Sequence, residues 1–187
     1  MQKEIGSVMG LYPTPVTIVG VVSGEQVNFL PIAHVGVVEH NTFLISMDKT
    51  HKLSDAAIQE TKVVSVSLVN EDMLIAADYC GIVKGESIDK SQVFRYHFDE
   101  LKKAPVLDDA PVCMTCQVID VVDVGNFANY ILKPIHTYVQ EECLNPNGKI
   151  DYEKVRPVLF EFQNAQYLSI GSVIGKCWNI GSEYNRK

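Results

Sequence analysis

Two places in this sequence combine residue types and spacing that could do chemistry: the pair Cys113 and Cys116, and the basic run Lys49-Thr50-His51-Lys52 followed shortly by Ser54. A CxxC can hold zinc or cycle between dithiol and disulfide. Lysines just before a helix start can hold a phosphate, because positive charge and free backbone N–H groups meet there. The cysteine pair lies inside a run that alternates like a strand, and residues three apart on a strand face opposite sides. The two sulfurs therefore neither share a metal nor close easily into a disulfide. No second cysteine pair or CxxH follows at zinc spacing, so two small buried strand residues and no metal centre are expected.

Other motifs fail on their chemistry. Residues 171–176, GSVIGK, have three residues between the glycines and Cys177 after the lysine, where a phosphate loop needs four and a hydroxyl for magnesium. The histidines His34, His40, His51, His97 and His136 fall into no ligand spacing. There is no GxSxG, no HExxH and no GxGxxG after a strand, which disfavours a hydrolase, a metalloenzyme and a dedicated dinucleotide fold.

Five features survive with two explanations each. The Lys49 to Ser54 run is an anion loop or a solvated turn. The stretch 28–37, NFLPIAHVGV, carries Pro31 and Gly36 inside a strand-like run, marking a sheet edge or a close approach to the backbone. His34 there faces a planar ring along that edge or is a polar residue on the outer face. Tyr79, Cys80 and Gly81 end a helical stretch with an aromatic, a thiol and a flexible cap, which core packing alone would also explain. Trp178, the only tryptophan, is a core aromatic or a stacking surface.

The elements that must position these residues are mostly strands. Runs rich in β-branched and aromatic residues predict strands at 16–22, 28–37, 42–47, 63–69, 112–124, 130–141 and 158–170. Helical spacing appears only at 54–61 and 71–79, with Ser54 and Asn70 as candidate caps and Gly81 as the stop of the second helix. Residues 84–107 are polar and end near Pro105, with a short helix expected around 92–101; they suggest an excursion over the body. Many strands, few helices and no repeat point to a mainly β fold, a closed barrel or a sandwich.

Composition narrows the function classes. At 187 residues and 47% hydrophobic the chain can bury one sizeable core, and one domain over 1–187 is the expectation. A formal charge of -7 disfavours a general nucleic-acid or membrane-surface binder, which needs a basic field. No apolar run approaches the roughly 20 residues that span a bilayer. Residues 1–10 carry no signal-peptide core, and five cysteines, an odd number, suggest reduced thiols; a cytoplasmic address is expected.

The ordered series YPTPVTIVG, NFLPIAHVGVV, ISMDKTHKLSDAAI, VVSVSL, DYCGIVKGESIDKS, APV and YLSIGSVIGKCW resembles the flavoredoxin group of the flavin reductase-like family over nearly the whole chain. The most specific pieces are DYCG with the GxxxDKS at 85–91, and the terminal GxxxGKxW. The resemblance implies an FMN-binding split β-barrel in which two chains pair and the flavin lies near the dimer interface. It assigns phosphate contacts to Lys49, His51, Lys52 and Ser54 with Leu53 beside them. It lays the ring and ribityl chain along Ile32, Ala33, His34 and Val35, near Ser46 and Met47, and closes the pocket with Tyr79, Cys80 and Gly81. The sequence departs from the family in having Lys49 and Lys52 where arginine is typical, which loses the bidentate fork, and His34 where tryptophan is common.

On this resemblance the expected activity is hydride transfer from NAD(P)H to FMN, with the cofactor carrying the chemistry and no acid–base residue required. The alternatives are an electron carrier with bound FMN, reduced by a partner protein, or a non-redox ligand-binding barrel.

Overall fold

The computed structural model describes residues 1–184. In chain order the strands are β1 (Thr14–Pro15), β2 (Thr17–Ser23), β3 (Gln26–Ile32), β4 (Val35–Glu39), β5 (Thr42–Asp48) and, after helix α1 (Lys52–Thr61), β6 (Val63–Leu68). Helix α2 (Leu74–Ile82) precedes β7 (Tyr96–Phe98), β8 (Pro105–Leu107), β9 (Val112–Val124) and β10 (Phe127–Val139). A short helix α3 (Tyr152–Val155) leads to β11 (Leu159–Glu161) and β12 (Gln166–Leu168).

Seven strands form one antiparallel sheet in the order β3-β2-β6-β9-β10-β5-β4. Its two edge strands, β3 and β4, follow each other in sequence with only Ala33 and His34 between them. Three Cα steps reach about 11 Å, whereas the edges of a flat seven-stranded sheet stand roughly 29 Å apart. The sheet must therefore roll until its edges meet. Ser46 N–H donates to His34 C=O at 2.8 Å, carrying the β4–β5 ladder one residue into the link.

Alternation along the strands then builds two cores. Val19 and Val21, Leu30 and Ile32, Ile45 and Met47, Val64 and Val66, Cys116 and Val118, and Ala128, Tyr130 and Leu132 point into the rolled sheet. Ala57 and Ile58 of α1 close that core, and the Tyr130 hydroxyl inside it donates to the Asp55 carboxylate of the same helix. The opposite faces of β2, β3 and β9 present Ile18, Val27, Phe29 and Cys113 to Met73, Ala77 and Cys80 of α2 and to Val106 and Leu107 of β8. Cys113 and Cys116 thus belong to different cores on opposite faces, as strand alternation requires.

Three expectations need correction. The predicted strand 28–37 is two strands, because the chain leaves one sheet edge at Ile32 and joins the other at Val35. The short helix at 92–101 is absent; the excursion forms the β7–β8 pair instead. Strand 158–170 is a hairpin of β11 and β12, which with β1 makes a separate three-stranded sheet. No described helix is long and apolar enough to cross a membrane.

Helix boundaries also shift. α1 begins at Lys52 after His51, with no side chain capping it, and Ser54 lies inside the helix. Asn70 Oδ1 accepts from Met73 N–H at 3.1 Å, fixing the turn that leads into α2. Gly81 lies within α2 rather than beyond it, and its close approach to Pro31 leaves little room for a side chain.

Gly20 shows how tightly the outer core is filled. A Cβ there would run into Ser65 Oγ and lie 2.7 Å from Pro105 Cγ. Gly20→Ala should destabilise the fold by about 1–3 kcal/mol through overpacking, read as a lower urea midpoint by far-ultraviolet circular dichroism; an unchanged midpoint would show that β8 yields without cost.

Candidate functional site

The seam that closes the barrel also opens a hollow. About 310 Å³ in volume, it is lined by Pro31, Ile32, Ala33 and His34 from the link, Ser46, Met47 and Asp48 from the end of β5, His51, Phe127, and Phe160, Phe162 and Tyr167 from the small sheet.

The link itself is held from three sides. Thr17 Oγ1 donates to Ile32 C=O at 2.7 Å, Thr14 Oγ1 to Ala33 C=O at 2.7 Å, and Ser46 N–H to His34 C=O. Among the described residues neither the Ala33 nor the His34 amide N–H donates to a backbone carbonyl. Two donors fixed in place on the rim of an aromatic hollow can meet acceptors on the edge of a planar ligand.

Aromatic side chains shape the rest. Tyr12 stacks on Phe162 with ring centroids 6.0 Å apart and meets Phe160 edge-on at 6.1 Å. Its hydroxyl shares a 3.0 Å hydrogen bond with His34 Nε2. Phe127 meets the His34 ring edge-on at 5.8 Å. Tyr167 donates to Asp78 at 2.6 Å, and desolvation followed by that bond pushes its phenol up to about 12.

His51 belongs to a second hollow as well, lined by Asn28, Leu30, Thr50, Leu53, Ser54 and the segment from Gly81 to Glu86. This one sits against the start of α1, whose first N–H groups have no side-chain cap. Asn28 Nδ2 donates to Ser54 Oγ at 3.0 Å, while the buried Asn28 Oδ1 has no hydrogen-bond partner. An uncapped helix start beside a planar hollow, bridged by one imidazole, suits a ligand with a flat body and an anionic end.

The residues expected for the site divide into three groups. Ile32, Ala33, His34, Ser46, Met47 and His51 line the first hollow, and Leu53, Ser54 and Gly81 join His51 at the second. Val35 packs against the barrel interior. Lys49 forms a 2.7 Å ion pair with Asp123, Lys52 is exposed, Tyr79 stands on the outer face of α2, and Cys80 is buried in the outer core.

Sequence reasoning missed the aromatic wall of Tyr12, Phe127, Phe160, Phe162 and Tyr167, because it comes from four separate segments. It also missed the role of Lys90 in the Asp-Lys-Ser segment. This buried ammonium donates to Cys80 C=O at 2.7 Å and to Phe29 C=O at 3.2 Å, tying the last turn of α2 to β3. Burial holds the Lys90 pKa below its ordinary value. Trp178 is neither core nor pocket wall; it stands fully exposed on the C-terminal segment.

The thiols follow from the same burial. Desolvation raises Cys80 to about 11 and also raises Cys113, Cys116 and Cys143, whereas Cys177 is exposed. Since the thiolate is the nucleophile, Ellman's reagent near neutral pH should titrate Cys177 alone in the native chain and all the cysteines after denaturation. Rapid native labelling of a second thiol would show that one of the cores opens.

Residues 9–168 match the family model described as a flavin reductase like domain. The flavoredoxin from Methanosarcina acetivorans is 27% identical, with a TM-score of 0.90 over 97% of each chain. The flavoredoxin of Desulfovibrio vulgaris (Miyazaki F) is 26% identical, with a TM-score of 0.89 over 97% of this chain and 100% of that one. An FMN-binding protein from Thermus thermophilus, solved with 1-cyclohex-2-enone, is 20% identical, with a TM-score of 0.72 over 90% of this chain and 93% of that one, a likeness of fold alone. No curated protein matches the sequence. The mainly β split barrel implied by the sequence resemblance is the architecture observed.

Proposed function

The chain belongs to the flavin reductase-like family, and we propose that it is an FMN-binding redox protein that accepts hydride from NAD(P)H. The observation that carries this is the pair of unengaged amides at Ala33 and His34 on the rim of a flat aromatic hollow that continues, past His51, to the uncapped start of α1.

Those residues fit the cofactor. The Ala33 and His34 amides meet acceptors on the ring edge, and Ile32, Ser46 and Met47 form the floor beneath it. Thr50, His51, Leu53 and Ser54 with the α1 amides take the phosphate, and Gly81 leaves room beside them. Lys52 adds charge from the rim. The bound flavin supplies the hydride chemistry; the protein positions the ring, anchors the phosphate and keeps one face open to a stacking nicotinamide.

The flavoredoxin likeness across 97% of the chain favours a second reading, an electron carrier reduced by a partner protein. Anaerobic mixing of the FMN-loaded protein with NADH or NADPH separates the two. Bleaching of the flavin band within a turnover time supports the reductase, and a band that bleaches only with a reduced partner protein supports the carrier. A colourless protein that takes up no added FMN would remove both.

Two mutational outcomes follow. Lys52→Ala should weaken FMN binding about fivefold, roughly 1 kcal/mol for one exposed charge on a phosphate, measured by quenching of flavin fluorescence; equal affinity would place the phosphate elsewhere.

The dimer rests on apolar surface left bare by a single chain. Ile75, Tyr79 and Ile82 form an i, i+4, i+7 stripe on α2, with Ile75 86% and Ile82 74% exposed. Pairing of two copies through this stripe predicts that Ile75→Asp with Ile82→Asp halves the mass seen by sedimentation. A wild-type monomer, or a double variant that keeps the dimer, would argue against this face.

A further inference from the structure

Resting on the FMN reading, we propose that His34 is a catalytic residue that hands a proton to the reduced ring, and that Tyr12 is the positioning residue that fixes it there. The function so far asks His34 only for its backbone amide, yet the side chain is the more constrained part. Its backbone is pinned by Ser46 N–H at 2.8 Å. Its ring is wedged between Phe127, edge-on at 5.8 Å, and Phe162 at 6.4 Å. Nε2 is committed to the Tyr12 hydroxyl at 3.0 Å.

Tyr12 is itself clamped by Phe160 and Phe162, so the hydroxyl cannot follow the imidazole elsewhere. The remaining ring nitrogen, Nδ1, has no hydrogen-bond partner among the described residues, and the side chain lines the hollow. An imidazole with one nitrogen tethered and the other free at a ligand cavity is arranged to exchange a proton with what occupies it.

The other titratable groups facing His34 are Tyr12, Asp48, His51 and Tyr167. Hydrogen bonds from Thr50 hold the Asp48 carboxylate below its ordinary pKa, so it stays charged. Desolvation keeps His51 below its ordinary pKa and therefore neutral at physiological pH, with Asp48 opposing the shift. Tyr167, raised to about 12, stays a phenol. Asp48, His51 and Tyr167 are therefore not set to release a proton into the hollow near neutrality.

The step balances simply. Hydride from NAD(P)H carries two electrons and one proton to the ring, leaving it with one added negative charge and releasing NAD(P)⁺. The His34 Nδ1–H bond breaks as its proton passes to the reduced ring; the imidazolium becomes neutral imidazole and is reprotonated from solvent.

The test is the rate at which the reduced ring gains its proton, read from the change between anionic and neutral reduced-flavin spectra after rapid anaerobic reduction of the FMN-loaded protein by dithionite between about pH 6 and 8, for wild type, His34→Gln and Tyr12→Phe. In the wild type the neutral reduced ring should form in step with bleaching; in His34→Gln an anionic reduced ring should form first and gain its proton about 100-fold more slowly, with Tyr12→Phe between the two. All three should bind FMN within a fewfold of each other. Identical rates of proton gain in three FMN-binding proteins would overturn the proposal and leave the flavin reading standing. A wild type that binds no FMN would overturn both. Should His34→Gln fail to fold, Tyr12→Phe decides alone: an unchanged rate counts against the pair.

Discussion

Everything in this structure depends on a two-residue link. Ala33 and His34 join the two edge strands of a seven-stranded sheet, and a link that short can do so only if the sheet is rolled shut. Rolling brings the two edges close together, although β3 and β4 remain the terminal strands of the hydrogen-bonded order. It gives the strands a common interior, into which alternate side chains of the sheet must point. The carbonyls of Ile32, Ala33 and His34 are each taken up by a neighbouring segment, from Thr17, Thr14 and Ser46, so the link is braced rather than merely short.

The same link makes the site. Its carbonyls are engaged while the Ala33 and His34 amides donate to no backbone carbonyl among the described residues, and because it crosses from one edge to the other, residues from β5, the start of α1 at His51 and the β11–β12 hairpin line the same hollow. The hollow is thus not a gap in the packing but the outer side of the closure. The second hollow, which shares His51 with the first, is formed differently: α1 starts without a side-chain cap, and the Ser54 hydroxyl that sequence alone would assign to capping accepts from Asn28 Nδ2. A helix start left open in this way is a reserve of donors for a ligand.

Much of this was legible in the residues and some was not. The strand runs, the two longer helices and the opposite facing of Cys113 and Cys116 follow from local periodicity, which survives folding because each strand buries alternate positions. The break at Ala33 and His34 did not show, since the residues on both sides continue the same β-branched pattern; only tertiary closure distinguishes one long strand from two edge strands. The aromatic wall is likewise invisible locally, as Tyr12, Phe127 and Phe160 meet only in space. Lys49, whose charge invites a phosphate, has a partner that local sequence does not reveal: Asp123 on the β9–β10 hairpin lies within reach and pairs with it. The Lys90 ammonium, unremarkable in a polar stretch, turns out to be the buried tie between α2 and β3.

The placement of Trp178 bears on how this molecule can be observed. It is the only tryptophan in the sequence, and it stands clear of both cores with its side chain wholly in water. In a lone chain its emission therefore begins where an unfolded chain's would, and melting the barrel leaves it nearly unchanged. Intrinsic tryptophan fluorescence is then blind to the folding of a lone chain while remaining sensitive to anything that settles on the C-terminal segment, a second copy included. The barrel reports through its tyrosines instead, Tyr130 in the sealed interior and Tyr12 at the seam, so two optical signals from one chain watch two different events.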